Sequence, residues 1–255
     1  MSGVVIHTPE EIVRIRIAAQ ATAWVREELR KQIVVGMSTR DVDYLGARLI
    51  TQTGGTSSFL GYNGFPGNIC VSINDTVVHG IGSPEVIIGE KDILSIDLGV
   101  TINGATGDTA ITMVFTDNPP ENIRNLLRYT EESLYAGIAQ ARKGNFVRDI
   151  SAAVQAVGKK AKLGIVRQYV GHGCGIKLHE EPEIPNFVVA GSRGPRLVPG
   201  MVLAIEPMFN LGTHQVYTES DRWTVRTRDG SLSAHFEHQV LITENEPEIL
   251  TCPKM

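Results

Sequence analysis

The chain of 255 residues carries 24 Lys and Arg against 28 Asp and Glu, for a net charge of −4, and it contains three Cys. The basic residues are scattered, so no nucleic-acid-binding surface is indicated, and three distant Cys without a Cys-x-x-Cys pair indicate reduced thiols in the cytoplasm. The N-terminus lacks the apolar run of a signal peptide, no segment reaches membrane-spanning length, and the chain has the length of one large domain or two small ones.

Four helices are predicted, and they come in two pairs. Thr8-Pro-Glu-Glu11 has the pattern of a capping box with proline at the first helical position, which marks the start of the first helix. The predicted helices run from Thr8 toward Gly36, from Arg40 to near Gly54, from Pro120 toward Gly144 and from Arg148 to near Gly164.

The two helix pairs also share residues at a constant spacing. Gly36, Arg40 and Asp41 recur 108 residues later as Gly144, Arg148 and Asp149. Two helices followed by strands, twice over, predict an α+β fold with an internal duplication. We expect one catalytic domain over 1–255, with halves of roughly 8–117 and 118–250 that meet at a pseudo-twofold axis.

A β-hairpin is predicted between the first and second helix pairs. Asn103-Gly104 lies between two β-rich runs, which is the strongest short hairpin signal. This turn places Gly99 opposite Asp108, and Asp97 one pleat further along the same face. The two carboxylates then lie on diagonal positions roughly 7–8 Å apart at the backbone. Two buried carboxylates this close repel each other unless one is protonated or a cation lies between them.

Three further potential metal ligands lie in the second half. His172 lies between Gly171 and Gly173, which allow close approach of the backbone to a ligand, although His172 alone would be read as a turn residue. Glu206 ends an apolar run and is held in extended geometry by the proline that follows. Glu237 lies in another strand-like run. An acid in an apolar strand is costly to bury without a partner.

These five residues predict a pair of divalent cations. Four carboxylates and one imidazole, without a thiolate, suit Co, Mn, Fe(II), Zn or Ni. The set has too many carboxylates for one catalytic zinc but suits two ions that share ligands, as in aminopeptidases and phosphatases. The predicted metal ligands are Asp97, Asp108, His172, Glu206 and Glu237.

Over nearly its whole length the chain resembles the type I methionine aminopeptidases. The motifs are Gly-Tyr62-Asn-Gly-Phe-Pro66, Ser-Ile-Asn74-Asp, Val-His79-Gly-Ile, Asp97-Leu-Gly-Val, Gly107-Asp108-Thr, Gly171-His172-Gly173, His179-Glu-Glu-Pro182, Ile-Glu206-Pro-Met and Glu237-His. The resemblance implies the pita-bread fold, in which two pseudo-symmetric halves form an antiparallel sheet covered by helices. It also implies removal of N-terminal methionine from nascent polypeptides at the ribosome, a preference for a small second residue, and a monomer.

The resemblance further implies roles for individual residues. The bridging ligands would be Asp108 and Glu237, and His79 and His179 would bind substrate without binding metal. The positions that match the methionine pocket are Tyr62, Phe65, Cys70 and Trp223. The chain departs from the pattern expected in some relatives at Phe59, Asn63 and Leu178.

The mechanism expected for such a site is hydrolysis by a metal-activated water. Glu206 is the candidate for proton transfer to the leaving amine. His79 and His179 would donate hydrogen bonds to the substrate amide and the developing oxyanion, in either order. The remaining histidines, His7, His214, His235 and His238, are interpreted as structural.

Two other functions stay open from the sequence. An enzyme of the same fold that cleaves before proline would be expected to carry a large extra N-terminal domain, for which this chain has no room. We also expect no N-terminal zinc-binding extension. A non-catalytic binding protein on this fold would be expected to have lost ligands, whereas all five are present.

Overall fold

A computed structural model describes residues 3–253. The helices of this part of the chain are α1 (Pro9–Gln32), α2 (Thr39–Gln52), α3 (Glu121–Ile138) and α4 (Val147–Ala161), with a 3₁₀ turn at Tyr62–Gly64. The strands are β1 (Thr56–Ser57), β2 (Cys70–Ile73), β3 (Thr76–Val78), β4 (Ile93–Ile102), β5 (Ala105–Val114), β6 (Gly164–Ile165), β7 (Gly171–Gly173), β8 (Glu180–Ile184), β9 (Val202–Ile205), β10 (Met208–Asn210), β11 (Val216–Thr218), β12 (Val225–Thr227), β13 (Ser233–His235), β14 (Glu237–Leu241) and β15 (Glu248–Ile249).

A nine-stranded antiparallel sheet is the centre of the molecule. Its strand order is β1-β4-β5-β14-β9-β7-β8, with β2 added on β4 and β15 on β14. Two three-stranded sheets, β13-β10-β6 and β11-β12-β3, adjoin it. Strand β14 therefore joins the hairpin β4–β5 of the first half to the strands β9, β7 and β8 of the second.

Each helix pair covers its own part of this sheet through a buried apolar cluster. Helices α1 and α2 pack on β2 and β4, with Leu29 and Ile96 fully buried between them. Helices α3 and α4 pack on β9 and β14 in the same way, around Leu126 and Leu203. The core thus lies between the helices and one face of the sheet, where apolar burial supplies most of the stabilisation.

The four predicted helices are present, and the predicted capping box at the start of α1 is confirmed. The Glu11 N–H donates to Thr8 Oγ1 at 3.2 Å, and the Thr8 N–H donates to Glu11 Oε2 at 2.9 Å. Helices α1 and α3 end earlier than predicted, at Gln32 and Ile138. The glycines taken as helix ends lie in the loops that follow, where a positive φ is required.

Local geometry repeats at the spacing found in the sequence. Gly36 and Gly144 both have φ of +93°. Helices α2 and α4 begin 108 residues apart, and each has an aspartate that bonds back to the residue before the helix. These matches support the interpretation of two duplicated halves, which stays a prediction.

The predicted hairpin register is confirmed, but the strand predicted around Glu237 is wrong in one respect. Gly99 pairs with Asp108 and Ile102 with Ala105, as the two-residue turn requires. The predicted continuous run from Leu232 is divided at Phe236 into β13 and β14. The division arises because β13 pairs with β10, whereas β14 inserts between β5 and β9. Glu237 therefore begins its strand.

Within residues 3–253, no helix is both long and apolar enough to cross a membrane.

Candidate metal centre

The first three carboxylates meet at the middle of the large sheet. Asp97 on β4 and Glu237 on β14 are both register partners of Ala110 on β5, from its two sides. Asp108 lies two residues before Ala110 on the same strand, so its side chain is on the same face. One carboxylate oxygen from each of Asp97, Asp108 and Glu237 lies within 4.8 Å of the others.

His172 and Glu206 complete the cluster from the second half of the chain. His172 pairs with Ala204 on β9, and Glu206 follows the end of that strand. The Nδ1 atom of His172 lies 2.9 Å from the carbonyl oxygen of Gly173, so Nδ1 carries the proton and Nε2 is left free to bind a metal. His172 Nε2 faces Glu206 Oε1 at 3.3 Å and Asp108 Oδ2 at 3.8 Å.

The glycines beside His172 lie where the neighbouring strands approach closely. A side chain on Gly171 would collide with the carbonyl oxygen of Ala204, and one on Gly173 with that of Glu181. The glycines therefore allow β8 and β9 to pack closely on both sides of β7. This close packing fixes the position of His172, and the predicted approach of the backbone to a ligand stays a prediction.

The five predicted ligands form two overlapping groups. The first contains Asp97, Asp108 and Glu237, and the second contains His172, Glu206 and Glu237, with ligand atoms in each group within 4.8 Å of one another. Glu237 belongs to both, which suits a shared ligand. A third group joins Asp108 and His172 to Cys174, whose Sγ accepts a hydrogen bond from Gln239 Nε2 at 3.3 Å.

The carboxylates are destabilised in their ionised form by burial and by one another. Burial, with a further contribution from the charge of Glu206, raises the pKa of Asp97 to about 7. Burial raises the pKa of Glu206 to about 8, and burial followed by the neighbouring carboxylates holds the pKa values of Asp108 and Glu237 well above their ordinary range. Burial lowers the pKa of His172 to about 3, so the imidazole is neutral and able to act as a ligand.

The residues present fit divalent cations. Asp97 Oδ1 and Asp108 Oδ1 are buried without a hydrogen-bond partner from the described residues. Such atoms are rare in native proteins and indicate a missing partner. A doubly charged cation accepts electron pairs from these oxygens and stabilises the ionised carboxylates. The oxygen-rich set with one imidazole favours hard or borderline divalent metals, as predicted.

An apolar cavity of about 360 Å³ opens beside the five ligands and is lined by them. Its apolar part is a small buried cluster that contains Phe65 and Cys70, with Tyr62 and Trp223 packed against it. The Phe65 and Trp223 rings meet edge to face, with centroids 5.2 Å apart. All four residues predicted for a side-chain pocket therefore line this cavity. So do the three residues that depart from the expected pattern, Phe59, Asn63 and Leu178.

His79, which follows β3, and His179, which precedes β8, line the same cavity. His79 follows β3 with φ of +58°, and its ring packs edge to face on Trp223 at 6.1 Å between centroids. His179 Nδ1 lies 2.9 Å from the Tyr62 hydroxyl, and its ring centroid lies 4.2 Å from that of His172. Burial lowers the pKa of His79 to about 4 and also lowers that of His179, so each is a neutral donor at pH 7.

One residue of the centre was interpreted only as structural from the sequence. His235 is buried, and its Nε2 lies 3.6 Å from Glu206 Oε2. The available signal was its position two residues before Glu237, since residues two apart in extended chain face the same side. The same alternation did identify the Asp pair.

Comparison with known proteins agrees with this geometry. The model of metallopeptidase family M24 matches residues 13–244. This chain belongs to that family. The chain is 46% identical to methionine aminopeptidase 1 of Bacillus subtilis over 248 residues, which are 97% of this chain and 99% of the relative. It is 38% identical to the methionine aminopeptidase of Escherichia coli, over 98% of this chain and 94% of the relative.

Solved structures extend the comparison to the fold. The crystal structure of methionine aminopeptidase from Thermotoga maritima matches with a TM-score of 0.93 and 40% identity, over 97% of this chain and 99% of that one. Prolidase from Pyrococcus furiosus matches with a TM-score of 0.78 and 23% identity, over 98% of this chain and 66% of that one, and shows the fold alone. The predicted pita-bread fold and the resemblance to methionine aminopeptidases are thus confirmed, and the chain is a metallo-aminopeptidase.

Proposed function

We propose that this enzyme removes the N-terminal methionine of polypeptides by hydrolysis assisted by two divalent metal ions. The observation that carries the proposal is a cluster of four carboxylates and one imidazole, with Glu237 common to two groups of ligand atoms, beside an apolar cavity. The relatives at 38–46% identity over nearly the full chain bear the name methionine aminopeptidase.

The five ligands would hold the two ions, with Asp108 and Glu237 as bridges. Asp108 and Glu237 lie on adjacent strands, Glu237 belongs to both groups of ligand atoms, and Asp108 Oδ2 lies 3.8 Å from His172 Nε2, which supports this assignment. When bound, such a pair supplies a water nucleophile at neutral pH and polarises the peptide carbonyl.

Side chains of the enzyme would transfer the proton and stabilise the developing negative charge. Glu206 lies among the ligands, with its Oε1 3.3 Å from His172 Nε2, and it is the carboxylate that would take and return the proton. His79 and His179 present neutral imidazoles to the cavity and donate hydrogen bonds to the substrate amide and the oxyanion. The contact of His179 Nδ1 with the Tyr62 hydroxyl leaves its Nε2 for this purpose.

The cavity suits the side chain of methionine. Phe65, Cys70 and Trp223 offer apolar and polarizable surface next to the ligands, and an unbranched thioether packs favourably against aromatic rings. We also propose a preference for a small second residue, as the family resemblance implies. Action on nascent chains at the ribosome, in the cytoplasm and as a monomer, stays a prediction.

A panel of short peptides tests this proposal against cleavage before proline, because a solved structure with the same fold is that of an X-Pro aminopeptidase from Thermotoga maritima. Metal-free enzyme is loaded with Mn or Co and offered Met-Ala, Met-Lys, Leu-Ala and Ala-Pro peptides. Release of methionine from Met-Ala well above all other products supports the proposal. Faster turnover of the Ala-Pro peptide, or equal kcat/KM for Met-Ala and Met-Lys, would contradict it.

A further inference from the structure

A buried cation lies on the opposite side of the sheet from the substrate cavity. Arg26 of α1 is only 6% exposed, and its Nη1 donates a hydrogen bond to Thr109 Oγ1 at 2.8 Å. Its Nε and Nη2 contact Glu27 Oε1 at 3.2 and 3.1 Å. Arginine is almost never this buried unless it is paired. The contacts with Thr109 and Glu27 therefore offset the free-energy cost of burying the guanidinium.

Thr109 connects Arg26 by hydrogen bonds to β14, the strand that carries Glu237. The Thr109 hydroxyl accepts from Arg26 and donates to the carbonyl oxygen of Glu237 at 2.8 Å. Thr109 is also the next residue after Asp108. One hydroxyl thereby connects Arg26 to the backbone at both proposed bridging ligands.

A second contact reaches the same pair of strands. Arg26 Nη1 lies 3.4 Å from His238 Nδ1, which in turn lies 2.9 Å from Thr251 Oγ1. A guanidinium has donors only, so His238 Nδ1 accepts the hydrogen bond from Arg26. His238 is the register partner of Thr109. The guanidinium therefore spans the β5–β14 pair next to Asp108 and Glu237.

The charge of Arg26 is not fully compensated by its partner. Glu27 also accepts from Arg30 Nε at 3.0 Å, so one carboxylate serves two cations. The guanidinium therefore places a positive charge directly behind the strands that carry the carboxylate cluster, and opposite charges attract each other strongly where little water lies between them.

We propose that Arg26 is a positioning residue for the metal centre, which through Thr109 and His238 fixes the strands at Asp108 and Glu237 in the arrangement that binds the ions. This inference rests on the proposed function, since it takes these two carboxylates as ligands. Groups that orient metal ligands from behind typically contribute 10–100-fold to affinity or activity.

The test measures metal affinity of metal-free protein by titration calorimetry with Mn, alongside peptide kinetics. Arg26→Met keeps the length of the side chain and removes its charge and donors, and Thr109→Val removes only the hydroxyl. We expect each to weaken Mn binding by about 10–100-fold and to lower kcat at subsaturating Mn. The KM for a Met-Ala peptide at saturating Mn should not change, because neither residue lines the cavity.

Two controls isolate the contacts. Arg30→Met removes the other cation that contacts Glu27. The Arg30 side chain is 52% exposed, and its replacement should leave Mn affinity unchanged. Thr109→Ser keeps the hydroxyl and should restore most of the loss seen in Thr109→Val. Thermal unfolding of each metal-free variant identifies any variant that fails to fold. If Arg26→Met fails to fold, the Mn affinity of Thr109→Val tests the inference.

Wild-type Mn affinity in a folded Arg26→Met or Thr109→Val variant would overturn the inference, as would an equal loss in Arg30→Met. Failure of the proposed function has a different signature, since the wild-type protein itself would then bind no Mn pair or release no methionine.

Discussion

Replacement of Asp97 by asparagine should stabilise the metal-free protein at alkaline pH while it destroys a metal ligand. Asp97 is half-buried, but its Oδ1 atom is fully buried beside the carboxylates of Asp108 and Glu237, and burial raises its pKa from 3.8 to about 7. Between these two values the folded chain retains a proton that the unfolded chain has released. The free energy of unfolding therefore falls as pH rises from about 4 to about 7, and it stays low above that range.

The magnitude follows from the same two pKa values. A pKa raised from 3.8 to about 7 in the folded state corresponds to about 4 kcal/mol of stability lost once Asp97 is ionised. Asparagine cannot ionise, so the Asp97→Asn variant should match wild type near pH 4 and exceed it by up to about 4 kcal/mol at pH 8. In a chain of this size, each kcal/mol moves Tm by about 2–4 °C.

The assay is thermal unfolding of metal-free protein at a series of pH values, with and without excess Mn. Mn should raise the Tm of wild type at pH 8 far more than that of Asp97→Asn. The exposed Asp117, replaced in the same way, is the control and should show no pH-dependent difference from wild type. A constant Tm difference between Asp97→Asn and wild type from pH 4 to pH 8 would show that ionisation of Asp97 does not destabilise the folded chain.

Three further outcomes are expected from the site. His79→Ala should retain both ions and lose kcat by about 10²–10³, the usual loss for one transition-state donor. His172→Ala should instead weaken metal binding, and excess metal should partly rescue it. Calorimetry and kinetics that show the reverse would reassign the two histidines. Asp108→Asn should lower kcat/KM more than His79→Ala because a bridge touches both ions, and a smaller loss would exclude a bridging role. Wild type should favour Met over Leu peptides by about 1–3 kcal/mol in kcat/KM, Trp223→Ala should reduce that preference, and an unchanged preference would exclude Trp223 from the pocket.

The parts of the site that could be predicted from the sequence are those fixed by local rules. Asn103-Gly104 sets a two-residue turn, and the period of two along the strands then determines which residues face Asp97 and Asp108. Apolar runs around Glu206 and Glu237 mark both as costly to bury without a partner.

The parts that could not be predicted depend on contacts between distant segments. The insertion of β14 between β5 and β9 brings Glu237 beside Asp97, and no local pattern around Phe236 marks the place where the chain changes sheets. Arg26 lies among charged helix residues and has the pattern of a solvent-exposed position. It is buried because α1 packs closely on β5, where a side chain on Gly107 would collide with Thr22 and Ala19.

Two metal ions held by five residues of this chain are proposed to carry the peptidase activity. The most direct test removes metal exhaustively, verifies the metal content, and then follows methionine release from a Met-Ala peptide as Mn or Co is added back. We predict no activity in the metal-free protein, a retained fold, and activity that rises with occupancy to two ions per chain. Full activity in protein whose metal content is verified as nil would exclude a metal-dependent hydrolysis.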